Sequence, residues 1–102
     1  MEEEAALKDI INNPDNWVGK EVILTVDYLG WGKGNCDLTK SSLRTRSDIT
    51  LRQGDYCIFC DPIENLSPIT NRNIKIKIKA VVEILTGRPR LRNPVLLEIL
   101  EE

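Results

Sequence analysis

Two of the three cysteines of this 102-residue chain stand three positions apart, in DYCIFCD at 55–61. The spacing C-x-x-C serves zinc sites and thiol–disulfide enzymes. Geometry argues against both here. Ile58 and Phe59 are strand formers rather than turn formers. In a strand, residues three apart point to opposite faces. Their Cα atoms then lie roughly 10 Å apart at ~3.3 Å per residue, whereas a disulfide needs about 7 Å or less. A Cys57–Cys60 bridge is therefore excluded in extended chain. Zinc asks for about four ligands; the chain has no histidine and one other cysteine, Cys36. Cys57 and Cys60 read as structural. The alternative is a three-cysteine site completed by an aspartate, water or a second chain.

Other chemistry finds less support. Without histidine, Ser–His and Cys–His arrangements cannot form within the chain. Asp55 and Asp61 flank the cysteines, but nothing in the sequence brings them together. The glycines of GWGKG at 30–34 lack the G-K-[ST] of a phosphate loop. In TRSD at 45–48, Arg46 and Asp48 read as a local charged pair. The expectation is a protein that is not an enzyme, with no metal and no cofactor.

Three cysteines are few and odd in number, which argues against a disulfide scaffold and fits a reducing cytosol. The start, MEEEAALK, has no basic region and no apolar core of a signal peptide. Apolar runs are far shorter than the roughly 20 residues a membrane helix needs. A soluble, cytoplasmic protein is expected. Net charge is −2, yet the ends differ: residues 1–37 carry eight acids against three lysines, and 72–92 carry seven bases against Glu83 alone. Overall charge gives no argument for a nucleic-acid partner, but local charge does.

The elements that must position these residues follow from periodicity. Residues 3–13 read as a helix with Ala6, Leu7, Ile10 and Ile11 on one stripe, stopped by NNP. A long strand follows from about residue 20 to 29, with Val22, Leu24, Val26 and Tyr28 on one face. Residues 33–46 read as a long polar loop, and 47–53 and 56–60 as a hairpin. A connector covers 61–73. In 74–85, Ile74, Ile76 and Ile78 alternate with Lys75, Lys77 and Lys79, the cleanest strand pattern in the chain. The lysine stripe reads as a solvated face that also guards an edge. TGRPR at 86–90 reads as a turn and 95–100 as a last strand, with a final helix turn as the alternative. The fold class expected is all-β with small α content: a five-stranded Greek-key barrel with a short N-terminal helix, in one domain. Residues 1–16 form the lead-in and 17–102 the barrel.

Three stretches resemble the OB-fold, and in particular small OB-fold domains common in archaeal proteins. They are LKDIINNPDNWVGKEVIL, YLGWG followed by TRSDITL, and IKIKAVVEILTGRPRL. The match departs at Val26–Asp27, where related domains carry glycine, and at Ile49, where they carry tryptophan. The resemblance implies single-strand binding on the face of barrel strands 2 and 3, between the loops joining strands 1–2 and 4–5. The first loop carries Lys33, Lys40, Arg44 and Arg46, and the second Arg88, Arg90 and Arg92. If Tyr56, Ile58 and Cys60 face the core, Phe59 faces outward beside Thr50 and Arg52 and can stack on a base. Trp17 and Trp31 read as core or lid residues, and Trp31, at the loop mouth, is also a candidate platform. The expected partner is single-stranded nucleic acid. The alternative is a protein-interaction module using Leu38, Leu43, Leu66 and Ile69.

Overall fold

The computed structural model describes residues 3–31, 36, 38–67, 69 and 74–101. A short strand, β1 (Glu3–Glu4), precedes helix α1 (Leu7–Asn12) and a single 3-10 turn at Pro14–Asn16. The long strand β2 (Glu21–Gly30) follows, then the hairpin of β3 (Ile49–Gln53) and β4 (Tyr56–Cys60). A second hairpin, β5 (Ile74–Leu85) and β6 (Arg88–Glu101), ends the chain. The strand order is β1-β2-β3-β4-β6-β5, and β5 also pairs with β2, so five strands form a closed sheet.

Alternation decides what the closed sheet encloses. Val22, Leu24, Val26 and Tyr28 of β2 point inward, as do Leu51, Ile58, Cys60, Ile76, Ile78, Val82 and Leu91. β2 reaches two neighbours because it is long. It pairs with β5 from Glu21↔Val81 to Tyr28↔Ile74, and with β3 only near its end, from Asp27↔Arg52 to Gly30↔Thr50. The unfilled edge at the start of β2 takes up the N-terminus: Glu3 lies beside Val22, and Glu4 beside Ile23. This corrects the expected helix start. Residues 3 and 4 are extended because an open strand edge offers their backbone partners, and the helix begins at Leu7. α1 buries Leu7, Ile10 and Ile11 against the core. Gln53 fixes its start: Oε1 accepts from the Leu7 N–H at 2.8 Å, and Nε2 donates to the Thr25 carbonyl at 2.8 Å.

The last strand also departs from expectation. The turn is only Thr86 and Gly87, with φ of 50° and 79°, and Leu85 pairs with Arg88. Positive φ at both central residues is the type I′ hairpin, whose twist matches that of the flanking strands. β6 therefore starts at Arg88, seven residues before the expected strand, and Pro89 and Arg90 lie within it. Ile63 and Leu66 of the 61–73 connector are buried in the core, which removes Leu66 from the candidate contact residues. Among the described residues, no helix is long and apolar enough to cross a membrane.

Candidate nucleic-acid interface

The sheet closes weakly at one place. β4 and β6 run parallel there and share one ladder pair, Cys60↔Leu91. Side chains and backbone of the β2–β3 loop fill the rest of this seam. Ser41 Oγ donates to the Pro89 carbonyl at 3.0 Å and accepts from the Phe59 N–H at 2.9 Å. The Ser42 N–H donates to the same Pro89 carbonyl at 3.0 Å. Both serines are buried.

Arg90 lies beneath this loop. It sits on the outer face of β6, across from Glu83, yet its exposure is 0%. Nη1 donates to Glu83 at 2.8 Å; Nη2 donates to Asp48 at 3.0 Å and to Asp61 at 2.7 Å. Asp48 in turn accepts from the Arg44 N–H at 2.8 Å and from Thr45 Oγ1 at 3.2 Å, which shapes the turn at 44–48. Burial works against the Arg90 charge. The hydrogen bonds to Asp61, Glu83 and Asp48 outweigh it and hold the guanidinium above its ordinary pKa. Arg90 is thus a tie between four segments. Its expected role in binding phosphate is corrected, because the loop that was to stand beside it folds over it. The expected pair of Arg46 and Asp48 is corrected too: Asp48 pairs with Arg90.

The cysteines divide as strand geometry requires: Cys60 is a buried free thiol in the core, and Cys57 points the other way. Burial, then the neighbouring Asp61, push the Cys60 pKa upward; Arg90 acts in the opposite direction. Cys57 is not a thiol. It is bonded to Cys36 of the β2–β3 loop, with Cα atoms 5.9 Å apart. The structural reading of Cys57 did not include this bond, which removes the cysteine argument for a reducing compartment. No group of three or more Cys, Asp or Glu side chains suited to a metal occurs among the described residues.

The loop also covers much of the outer face of β3 and β4. Thr50 and Cys57 lie on that face and Leu29 lies near the end of the neighbouring β2; all three are outside the enclosed core, yet buried. Phe59 is half-buried. Arg52 lies at the far end of β3 and is held by Asp27 at 3.3 Å. That pair borders a shallow pocket of about 140 Å³ shared with Thr25, Gln53 and Lys75.

What remains exposed is a rim. Lys40, Arg44 and Arg46 of the loop and Arg88 and Arg92 of β6 are exposed. The Ser41 and Ser42 bonds to Pro89 set the loop directly against the start of β6, so Arg88 joins the loop cations. Trp31 stands at the same loop with 53% of its surface exposed, and its indole N–H donates to the Ser47 carbonyl at 3.2 Å. The core reading of Trp31 is thereby corrected. Trp17 does pack on the core, under the Lys20 ammonium at 5.6 Å. Lys33 lies outside the described residues. No known protein family, curated protein or solved structure matches this chain.

Proposed function

We propose that the chain is an OB-type barrel that binds single-stranded nucleic acid without catalysing a reaction on it. The strand arrangement supports the fold. β2, β3 and β4 follow one another, and β5 returns to lie beside β2, the spatial order of a Greek key. The observation that carries the function is the seam of Ser41 and Ser42 on Pro89, which sets the β2–β3 loop, one of the two such barrels use for oligonucleotides, against the start of β6 just after the Thr86–Gly87 turn. Lys40, Arg44, Arg46 and Arg88 then contact phosphates, and Trp31 stacks on a base. The footprint is this rim rather than the β3–β4 face, because Thr50 is buried and Phe59 is only partly exposed.

The test is a titration of labelled single-stranded oligonucleotide at rising salt. Phosphate contacts predict affinity that falls steeply with salt, and a slope smaller by about one for each of Arg44, Arg46 and Arg88 changed to Ala. Trp31→Ala is expected to weaken binding by about 1–3 kcal/mol with the salt slope unchanged. Absence of binding at low salt refutes the proposal.

A further inference from the structure

The outer face of β3 and β4 is closed although it lies outside the enclosed core. Thr50 and Cys57 on that face are 5% and 1% exposed. The β2–β3 loop meets β4 there through a hydrogen bond, Phe59 N–H to Ser41 Oγ at 2.9 Å, and through the Cys36–Cys57 bond. Other parts of the loop have ties of their own. The Trp31 indole holds the Ser47 carbonyl, Ser41 and Ser42 hold Pro89, and Asp48 holds Arg44 and Arg90. None of these passes through the disulfide, so the seam and the turn at 44–48 stand without it. What the bond adds is to keep Cys36 against β4.

Its two sulfurs differ in access. Cys36 is partly exposed, whereas Cys57 is buried. A disulfide is opened by thiolate attack on a sulfur that can be reached, and exposed disulfides are the labile ones. The third cysteine does not interfere. Cys60 is buried in the core on the opposite face of β4 from Cys57, and burial raises its pKa. It neither attacks the bond nor competes for a partner, which leaves one pair with one bonded and one reduced state.

We propose that the Cys36–Cys57 bond is a reversible latch, opened by dithiols, that controls access to the outer face of β3 and β4. One thiolate of the dithiol attacks Cys36 Sγ, the S–S bond breaks, and Cys57 leaves as a thiolate that takes a proton from water. The second thiol gives up its proton and attacks the mixed disulfide, and Cys36 leaves and is protonated in turn. Two electrons and two protons pass to the chain, and the dithiol becomes a disulfide. Exposing Cys57 then requires only local opening, whereas exposing Cys60 requires the barrel to unfold. The consequence for binding rests on the single-strand reading above: the open face adds Phe59, which lies across the ladder from Thr50, to the rim.

Alkylation of the folded protein tests the latch, with Cys60 as internal reference. In Cys36→Ser, iodoacetamide should modify Cys57 at least about tenfold faster than Cys60, the factor for local opening about 1.4 kcal/mol easier than global unfolding. Wild type in dithiothreitol should be modified first at Cys36 and Cys57, with a native circular dichroism spectrum, and oxidised glutathione should restore the bond. Equal rates at Cys57 and Cys60 overturn the proposal, because the face then opens only when the chain unfolds. So does a bond that resists dithiothreitol until urea unfolds the protein. In the oligonucleotide titration, Phe59→Ala should weaken binding about tenfold in dithiothreitol and leave the oxidised protein unchanged. An equal effect in both states overturns control of the face. Binding in neither state refutes the single-strand function instead, and the alkylation rates still decide the latch.

Discussion

Arg90→Met removes the cation that ties β6 to Glu83 on β5, to Asp48 before β3 and to Asp61 after β4. The methionine fills similar space, so the loss is mainly electrostatic. Three charge-assisted hydrogen bonds of 2.7–3.0 Å disappear, and three carboxylates are left facing one another without their counter-charge. Breaking one partner out of a buried ion pair costs about 3–5 kcal/mol. Glu83 and Asp61 keep 20% and 24% of their side-chain exposure, and water softens their share. Asp48, at 1%, has no such relief, which places the expected loss near 4 kcal/mol, about a third to a half of a typical domain's stability. At about 4–8 °C per kcal/mol for a chain of this size, the melting temperature falls by roughly 15–30 °C. Urea unfolding followed by tryptophan fluorescence reads the change directly. Arg88→Ala and Arg92→Ala, on the same strand and exposed, are expected to stay within about 0.5 kcal/mol. Combining Arg90→Met with Asp48→Asn should cost less than the two single losses added, because the pair is coupled. An Arg90→Met protein within about 1 kcal/mol of wild type refutes the reasoning. So does one that keeps its stability and loses oligonucleotide affinity, since that outcome puts Arg90 at the phosphates.

Tyr28→Phe is expected to stabilise the protein by about 1 kcal/mol, because the buried Tyr28 hydroxyl has no hydrogen-bond partner among the described residues; a loss of stability at neutral pH contradicts that. Burial, and then Cys60, push the Tyr28 pKa up to about 12 from 10.0. The unfolded phenol therefore ionises first, and stability falls as pH rises from about 10 to about 12. The Cys60 thiol, raised from 9.0, adds a loss of the same sign that starts lower. Urea midpoints measured up that range should fall less steeply in Tyr28→Phe, and equal slopes would sink the assignment. Cys36→Ser opens a loop closed across 21 residues, which in the chain-entropy picture costs about 3 kcal/mol. Reductant should lower the wild-type urea midpoint to the variant's and leave the variant unmoved; a wild type insensitive to reductant argues against the bond.

Most of the strands were legible in the chain because a half-buried strand has a period of two and needs only its own neighbours to show it. IKIKIK and VILTVDY carry that signal, and YCIFC carries enough of it to send Cys57 and Cys60 to opposite faces. The start of β6 was not legible as a strand. Pro89 and a run of arginines resemble a turn, while the informative pair was Thr86-Gly87. Read as a two-residue hairpin, it sets Glu83 opposite Arg90. That was the signal that could have moved Arg90 from the binding list to the interior.

Sequence alone thus determined the β-rich class, the inward faces of β2, β4 and β5, and the impossibility of a Cys57–Cys60 bond. Tertiary structure decided which cations are free to bind. Arg44, Arg46, Arg88, Arg90 and Arg92 are alike as letters. Arg90 differs only because Asp48 and Asp61, 42 and 29 residues away in sequence, meet it under a loop. Cys36 and Cys57 pair for the same kind of reason, 21 residues apart. Periodicity records which way a side chain points. It does not record what folds over it, because burial on an outer face is set by distant segments that closure of the sheet brings together.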